Sequence, residues 1–370
     1  MVGALAHAKR VRRAARYLRS EMRGGRRYLP ELLLGAILAG PTVAIVLLYV
    51  RLGITPYFAI PWDLATLGSL GLYVAIRAAG RSPGRFVPRL VVLGLILALV
   101  SIVTGIGNGA TDEGRTTIAY AGLMVNGTNP YTHLLVLHYT VSIGPFLTYP
   151  VTSQSYDTYL PLVSFVQIPG TGVVGYEAVC VAAWLGMVYL VRRDEFAAVT
   201  LASPVIALLA SNGFNDLTVL FFLTLSLRGG SGPRARIVEY LTYGMKQFAN
   251  VFWIAYHAIR RDWLRVALVV PITLVLVLPF LIYQPLGVYC NALTFGWGPG
   301  CSSAAGGVRG LADLWDHWNY YVWPVWGYAL FRRRVDAWIA RARAVVAGRG
   351  ASRPGPARDP RAEPEPVTPS

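Results

Sequence analysis

Five short polar stretches interrupt an otherwise apolar chain, and their residue types could do chemistry. The first is TDEGR at 111–115, where Asp112 and Glu113 stand side by side just past an apolar run. A carboxylate held against an acceptor hydroxyl can take its proton as the oxygen attacks carbon, which is general base catalysis. The others are GTNPY at 127–131 with Asn129 and Tyr131, YDTYLPL at 156–162 with Tyr159, NGFND at 212–216 with Asn215 and Asp216, and YGMKQ at 243–247 with Lys246 and Gln247. A leaving phosphate needs fixed positive charge in the transition state. Lys246, Arg309 and His317 are the available cations. His133, His138 and His317 lack metal-ligand spacing with Cys, Asp or Glu, so no metal is expected as resident cofactor, although the sequence leaves divalent-metal assistance open.

Each stretch also has a plainer reading. Asp112 and Glu113 would serve equally as solvated loop charges, and Asn-Pro initiates turns. Tyr159–Leu162 reads as a helix start with proline in its first turn. Asn215 and Asp216 can cap the helix that follows, and Lys246 can snorkel to an interface. Glu177, inside an apolar run, is expected to pair with a polar neighbour. Asp63 fits a helix N-terminus, where an acid is favoured. The cluster Trp315, Trp318, Tyr320, Tyr321, Trp323 and Trp326 is most simply an interfacial aromatic belt.

The elements that must hold these residues are membrane helices. Hydrophobic residues make up 55% of the 370, charged residues only 14%, and the mean hydropathy is +0.48. A soluble domain carries roughly a quarter charged residues. The net charge of +16 is not a nucleic-acid footprint, because the arginines form short blocks between apolar runs, as cytoplasmic loops do. Residues 1–31, with nine Lys or Arg, read as an uncleaved cytoplasmic arm. Apolar runs at 32–50, 62–79, 90–107, 173–191, 196–211, 214–227, 263–283 and 311–331 are candidate spans, since about 20 apolar residues cross a bilayer as a helix.

Arg77, Arg81, Arg85 and Arg89 put the loop before the third span in the cytoplasm, so residues 108–157, with Arg115 as their one Lys or Arg, lie outside. Segments 158–170 and 236–257 are short or polar. The basic blocks are all cytoplasmic if both are re-entrant or broken helices, which survive at membrane depth where buried or lining a cavity. The expected fold is all-α and polytopic, about eight to ten spanning or re-entrant helices, with 108–157 as an external cap of short in-plane helices. The expected organisation is a basic arm at 1–31, a membrane domain at 32–331 and a basic, disordered tail at 332–370, with both termini cytoplasmic. Cys290 and Cys301 share an external loop and are expected to pair, where oxidation is possible. Cys180 should stay reduced.

The order of the polar stretches resembles the GT-C superfamily of membrane glycosyltransferases, and within it the polyprenol-phosphate-mannose-dependent branch. That branch carries an acidic residue in the first large external loop, a Tyr/Ala-rich helix, a Gly-x-Asn-Pro-Tyr element, a Tyr-x-Pro-Leu helix start, a Gly-x-Asn-Asp-like turn and a Lys-containing helix. The matching positions here are Asp112 and Glu113, Ile118–Leu123, Gly127 to Tyr131, Tyr159 to Leu162, Gly213 to Asp216, and Lys246. The resemblance covers about residues 90–283. It departs from the pattern in two spans that precede the match and in few spans after it.

The resemblance implies a GT-C-like bundle that moves a sugar, with mannose expected, from a polyprenyl-phosphate donor to a glycolipid or glycan acceptor on the non-cytoplasmic face, with inversion. Independently, nucleotide sugars do not cross membranes and the chain has no Gly-rich nucleotide domain, so an external reaction needs a lipid-carried donor. Membrane lipids are the other expected partner and nucleic acid is not. A transporter or flippase is the rival reading, because broken helices around Pro161 and Lys246 would suit one. Geometry separates them: an enzyme gathers Asp112, Tyr131, Asp216 and Lys246 around one outward cavity, and a transporter keeps its charges near the midplane. A membrane scaffold is the third, blander possibility.

Overall fold

The computed structural model describes residues 83–104, 112–132, 135–143, 147–155, 160–168, 172–230, 232–293 and 322–346. The expected spans at 32–50 and 62–79, and Asp63, Tyr159, Cys301, Arg309, His317, Trp315, Trp318, Tyr320 and Tyr321 lie outside them. The chain forms two compact units, Met1–Leu330 and Phe331–Ser370. The second holds the end of a helix with Arg332, Arg333, Arg334, Arg341 and Arg343.

Among the described residues, the helices of seven residues or more are, in order, α1 (Val87–Thr104), α2 (Asp112–Val125), α3 (Pro161–Gln167), α4 (Gly172–Val191), α5 (Glu195–Leu201) and α6 (Pro204–Ser211). Then come α7 (Asp216–Arg228), α8 (Pro233–Tyr243), α9 (Gln247–Ile259), α10 (Trp263–Tyr283) and α11 (Val322–Val346). Among the described residues, three stretches are long and apolar enough to cross a membrane: Gly84–Val103, Gly172–Val191 and Trp263–Tyr283. α1 and α10 leave most of that apolar surface outside the bundle: 22% and 17% of their most apolar windows are buried. Val92, Ile96, Leu99 and Val103 on α1, and Val270, Leu274, Leu278 and Ile282 on α10, form exposed stripes at helical spacing. Water does not favour such stripes and lipid does, so the fold is that of a mainly helical, membrane-associated protein.

The core is packed by small residues that let helices close up. A Cβ at Gly94 would sit 2.8 Å from the Ala207 Cβ and from the Trp184 ring, so glycine lets α1 lie against α6 and α4. Trp184 donates its indole N–H to the Leu201 carbonyl at 2.7 Å, which satisfies an indole that is fully buried. The 196–211 run is broken rather than continuous. Pro204 follows Ser203 and starts α6 at its first turn, where the missing N–H costs nothing.

One expectation is corrected. The chain is mostly helical, as expected, but the 108–157 segment is not a cap of helices alone. It contains α2 and then an antiparallel hairpin, β1 (Leu135–Ile143) and β2 (Leu147–Ser155), registered from Leu135 opposite Ser155 to Ile143 opposite Leu147. The strands are rich in Val, Thr and Tyr, which fit a pleated ribbon, and the link between them holds Gly144 and Pro145.

Segment 236–257 is two short helices, α8 and α9, folded back on each other. His257 faces Glu239 and Trp253 faces Thr242 across the pair, the register of an antiparallel hairpin with Lys246 at its tip. The two helices have 11 and 13 residues, about 17 and 20 Å at 1.5 Å per residue, too short to cross a bilayer core. Cys290 is disulfide-bonded and Cys180 is a buried thiol outside any disulfide; Cys301, the expected partner of Cys290, is outside the described residues.

Candidate functional site

Within the first unit, the described arginine blocks at 85–89, 192–193, 228–236 and 260–265 share one end of the bundle. Gly84 N–H donates to Glu195, Arg228 pairs with Asp194 at 3.5 Å, Ser226 donates to the Ala235 carbonyl, and Arg265 reaches Glu239 at 3.4 Å. These contacts bring together the start of α1, the turn before α5, the end of α7, the start of α8 and the start of α10.

Deeper in the bundle, away from the arginine end, two chain reversals meet. α6 stops at Gly213, whose φ of 71° is a left-handed conformation that glycine adopts without a Cβ penalty. Its N–H donates to the Ala210 carbonyl and that of Phe214 to Leu209, a Schellman end. The chain therefore turns sharply and delivers Asn215 and Asp216 to the start of α7. Asn215 makes no side-chain cap bond, so the capping reading fails for it. Its amide instead bridges outward and inward.

The second reversal is the α8–α9 tip. A Cβ on Gly244 would lie 2.7 Å from Leu162 Cδ1 and 3.0 Å from Leu276 Cδ1. Glycine there lets the tip wedge between α3 and α10, and the Leu162 N–H donates to the Gly244 carbonyl at 2.9 Å.

The two tips join through Lys246, which is 1% exposed and does not snorkel. Its Nζ donates to Asp216 Oδ1 at 2.6 Å and to Asn215 Oδ1 at 2.9 Å. Trp323 Nε1 donates to the same Asp216 oxygen at 2.9 Å. Asn215 Nδ2 donates to Thr117 Oγ1 of α2 at 3.1 Å. A buried charge must be paired and hydrogen-bonded, and this network does both.

α2 therefore lies on the tips through Thr117, and Asp112 and Glu113 form its first turn. Thr117 is five residues further on, about 7–8 Å along the axis. The Thr273 hydroxyl on α10 lies 3.4 Å from the Tyr243 carbonyl, in donor position. That contact sets the tip about 15–20 Å from the arginine end of α10 at 1.5 Å per residue.

Asn129 and Tyr131 follow the far end of α2. Gly127, with φ 70°, ends α2 in the same Schellman pattern, Gly127 N–H to Met124 and Thr128 N–H to Leu123. Asn129 Oδ1 accepts the Tyr131 N–H at 3.0 Å, an Asx turn. Tyr131 is buried with Leu160, Val277 and Val288, its ring edge-on to Phe280 at 5.6 Å. GTNPY thus clamps the end of α2 onto α10. Gln247 opens α9 next to Lys246.

The aromatic belt reading is corrected for its two described members. Trp326 is 1% exposed and donates to Thr224 Oγ1 at 2.8 Å, and Trp323 reaches Asp216. Both face inward.

Two features were missed or misread. Glu177 of α4 is 1% exposed and makes no hydrogen bond among the described residues; the charged neighbour that acts on it is Arg115 of α2. Glu239 gathers Tyr243 OH and His257 Nε2 at 2.8 Å each and Arg265 at 3.4 Å. The signal was a charge and a histidine inside one apolar segment, which are costly at membrane depth unless partnered. Among the described residues no group of three or more His, Cys, Asp or Glu is placed to hold a metal ion.

No protein-family model, no curated protein and no solved structure matches the chain.

Proposed function

We propose that the chain is a multi-pass membrane glycosyltransferase that moves a sugar, with mannose the first candidate, from a polyprenyl-phosphate donor to a glycolipid or glycan acceptor. The reaction takes place on the arginine-poor, non-cytoplasmic face. One observation carries the reading. The helix that opens with Asp112 and Glu113 is hydrogen-bonded through Thr117 to the buried Asn215–Lys246–Asp216 network, so three segments far apart in sequence form one polar site away from the arginine end.

In this mechanism the acceptor oxygen forms a bond to the anomeric carbon as the carbon–oxygen bond to the lipid phosphate breaks. The acceptor proton passes to Asp112, with Glu113 orienting the acceptor, and the phosphate leaves on its lipid with the sugar inverted. Lys246 is the buried cation toward which the phosphate is drawn, in competition with Asp216. Tyr131 and Asn129 act by fixing α2. Incubation of the purified chain with radiolabelled polyprenyl-phosphate-mannose and a membrane extract tests the reading. Labelled product made by wild type and absent with heat-killed protein supports it, and no transfer to any acceptor in the extract counts against it.

A transporter reading has one observation behind it. The Lys246–Asp216 pair sits where two broken helical hairpins meet, about midway along α10, as charges in transporters do. Flux of a lipid-linked sugar across proteoliposomes, without transfer, would favour it.

A further inference from the structure

The arginine end carries a second, unassigned feature. Three exposed guanidiniums are stacked on aromatic rings, each near a helix terminus. Arg192 lies 3.8 Å from the centroid of Tyr189, Arg260 5.1 Å from that of Tyr256, and Arg89 5.3 Å from that of Phe86. Arg192 also donates to the Tyr189 carbonyl at 2.7 Å, and Arg260 to the Tyr256 hydroxyl at 2.5 Å. Arg192 and Arg260 thus each have both a ring and a hydrogen-bond acceptor to orient the guanidinium.

The acids nearby are already engaged: Asp194 with Arg228, Glu195 with the Gly84 N–H, and Asp262 with Arg265 at 3.1 Å. Arg193, Arg234 and Arg261 add further exposed positive charge at the same end. Beside these cations the surface is apolar and aromatic, with Ile259 79%, Leu264 72% and Trp263 64% exposed. An anion that binds here must offer phosphate oxygens to a fixed guanidinium fork and an apolar body to the surface beside it. A phospholipid has both, and Trp and Arg at one level are typical of a headgroup interface.

We infer that Arg192 on Tyr189 and Arg260 on Tyr256 form binding positions for anionic phospholipid headgroups at the arginine end of the bundle. This holds whether or not the chain is a glycosyltransferase. Stacking sets the orientation of the guanidinium before the lipid arrives, so less freedom is lost on binding than with an unstacked arginine.

The test uses the full chain in nanodiscs of phosphatidylcholine with or without phosphatidylglycerol, followed by detergent extraction and counting of co-purified lipid. Wild type should retain phosphatidylglycerol over phosphatidylcholine. The double variant Arg192→Gln/Arg260→Gln should lose that preference by about fivefold per guanidinium, while Arg193→Gln/Arg234→Gln, which removes equal charge from the same end, loses clearly less. Tyr189→Leu/Tyr256→Leu keeps both charges and should fall with the first pair. The melting temperature should rise with phosphatidylglycerol and not with inorganic phosphate. Equal retention of the two lipids, equal loss in the two arginine variants, or an equal rise with inorganic phosphate would overturn the inference.

Discussion

Lys246 Nζ sits 2.6 Å from Asp216 Oδ1 with neither side chain more than 1% exposed, thirty residues apart in sequence and at the tips of two different hairpins. The pair exists because α7 descends 13 residues from Asp216 and α8 climbs back 11, so the chain returns to nearly the level it left. Breaking one half of a buried pair leaves an uncompensated charge, which costs about 3–5 kcal/mol. Lys246→Met and Asp216→Asn should each lower the melting temperature strongly in detergent, and the double variant should lose much less than the sum. Additive losses would show that the two residues do not depend on each other.

Gly244 gives a steric prediction. Gly244→Ala places a methyl against Leu162 and Leu276, and overpacking of this kind costs about 1–3 kcal/mol. Leu162→Ala should recover part of that loss in a double variant, measured by thermal denaturation. A neutral Gly244→Ala would mean that the tip is not wedged between α3 and α10.

Glu239 makes the third. Its carboxylate faces Tyr243, His257 and Arg265, joining α8 to α9 and α10. Glu239→Ala leaves those donors without it and should cost about 3–5 kcal/mol, as removal of one partner from a buried ionic cluster does. Protease cleavage near the Gly244 tip should then speed up. Glu239→Gln, which keeps an acceptor, should sit between. Wild-type stability in Glu239→Ala would contradict the clasp.

The long helices were legible because apolar runs state their own length. Expected 90–107, 173–191 and 263–283 correspond to Val87–Thr104, Gly172–Val191 and Trp263–Tyr283. The polar members of the site were legible too, since Asn215, Asp216 and Lys246 stand out in apolar surroundings. Which of them touch was not: Lys246 meets Asp216 because of helix lengths, and Tyr131 goes to Phe280 because its ring is better buried than exposed. The β-hairpin was missed although LVLHYTVSI at 135–143 has the β-branched and aromatic content of a strand. Hydropathy draws attention to helices, and a short ribbon carries little of it.

The most direct measurement is transfer by Asp112→Asn. With radiolabelled polyprenyl-phosphate-mannose and a membrane extract, turnover should fall by about 10²–10⁴-fold, the usual cost of a lost general base. Donor binding and melting temperature should stay near wild type. Lys246→Gln should instead weaken donor binding. Transfer at the wild-type rate by both Asp112→Asn and Glu113→Gln would contradict the assignment of catalysis to the first turn of α2.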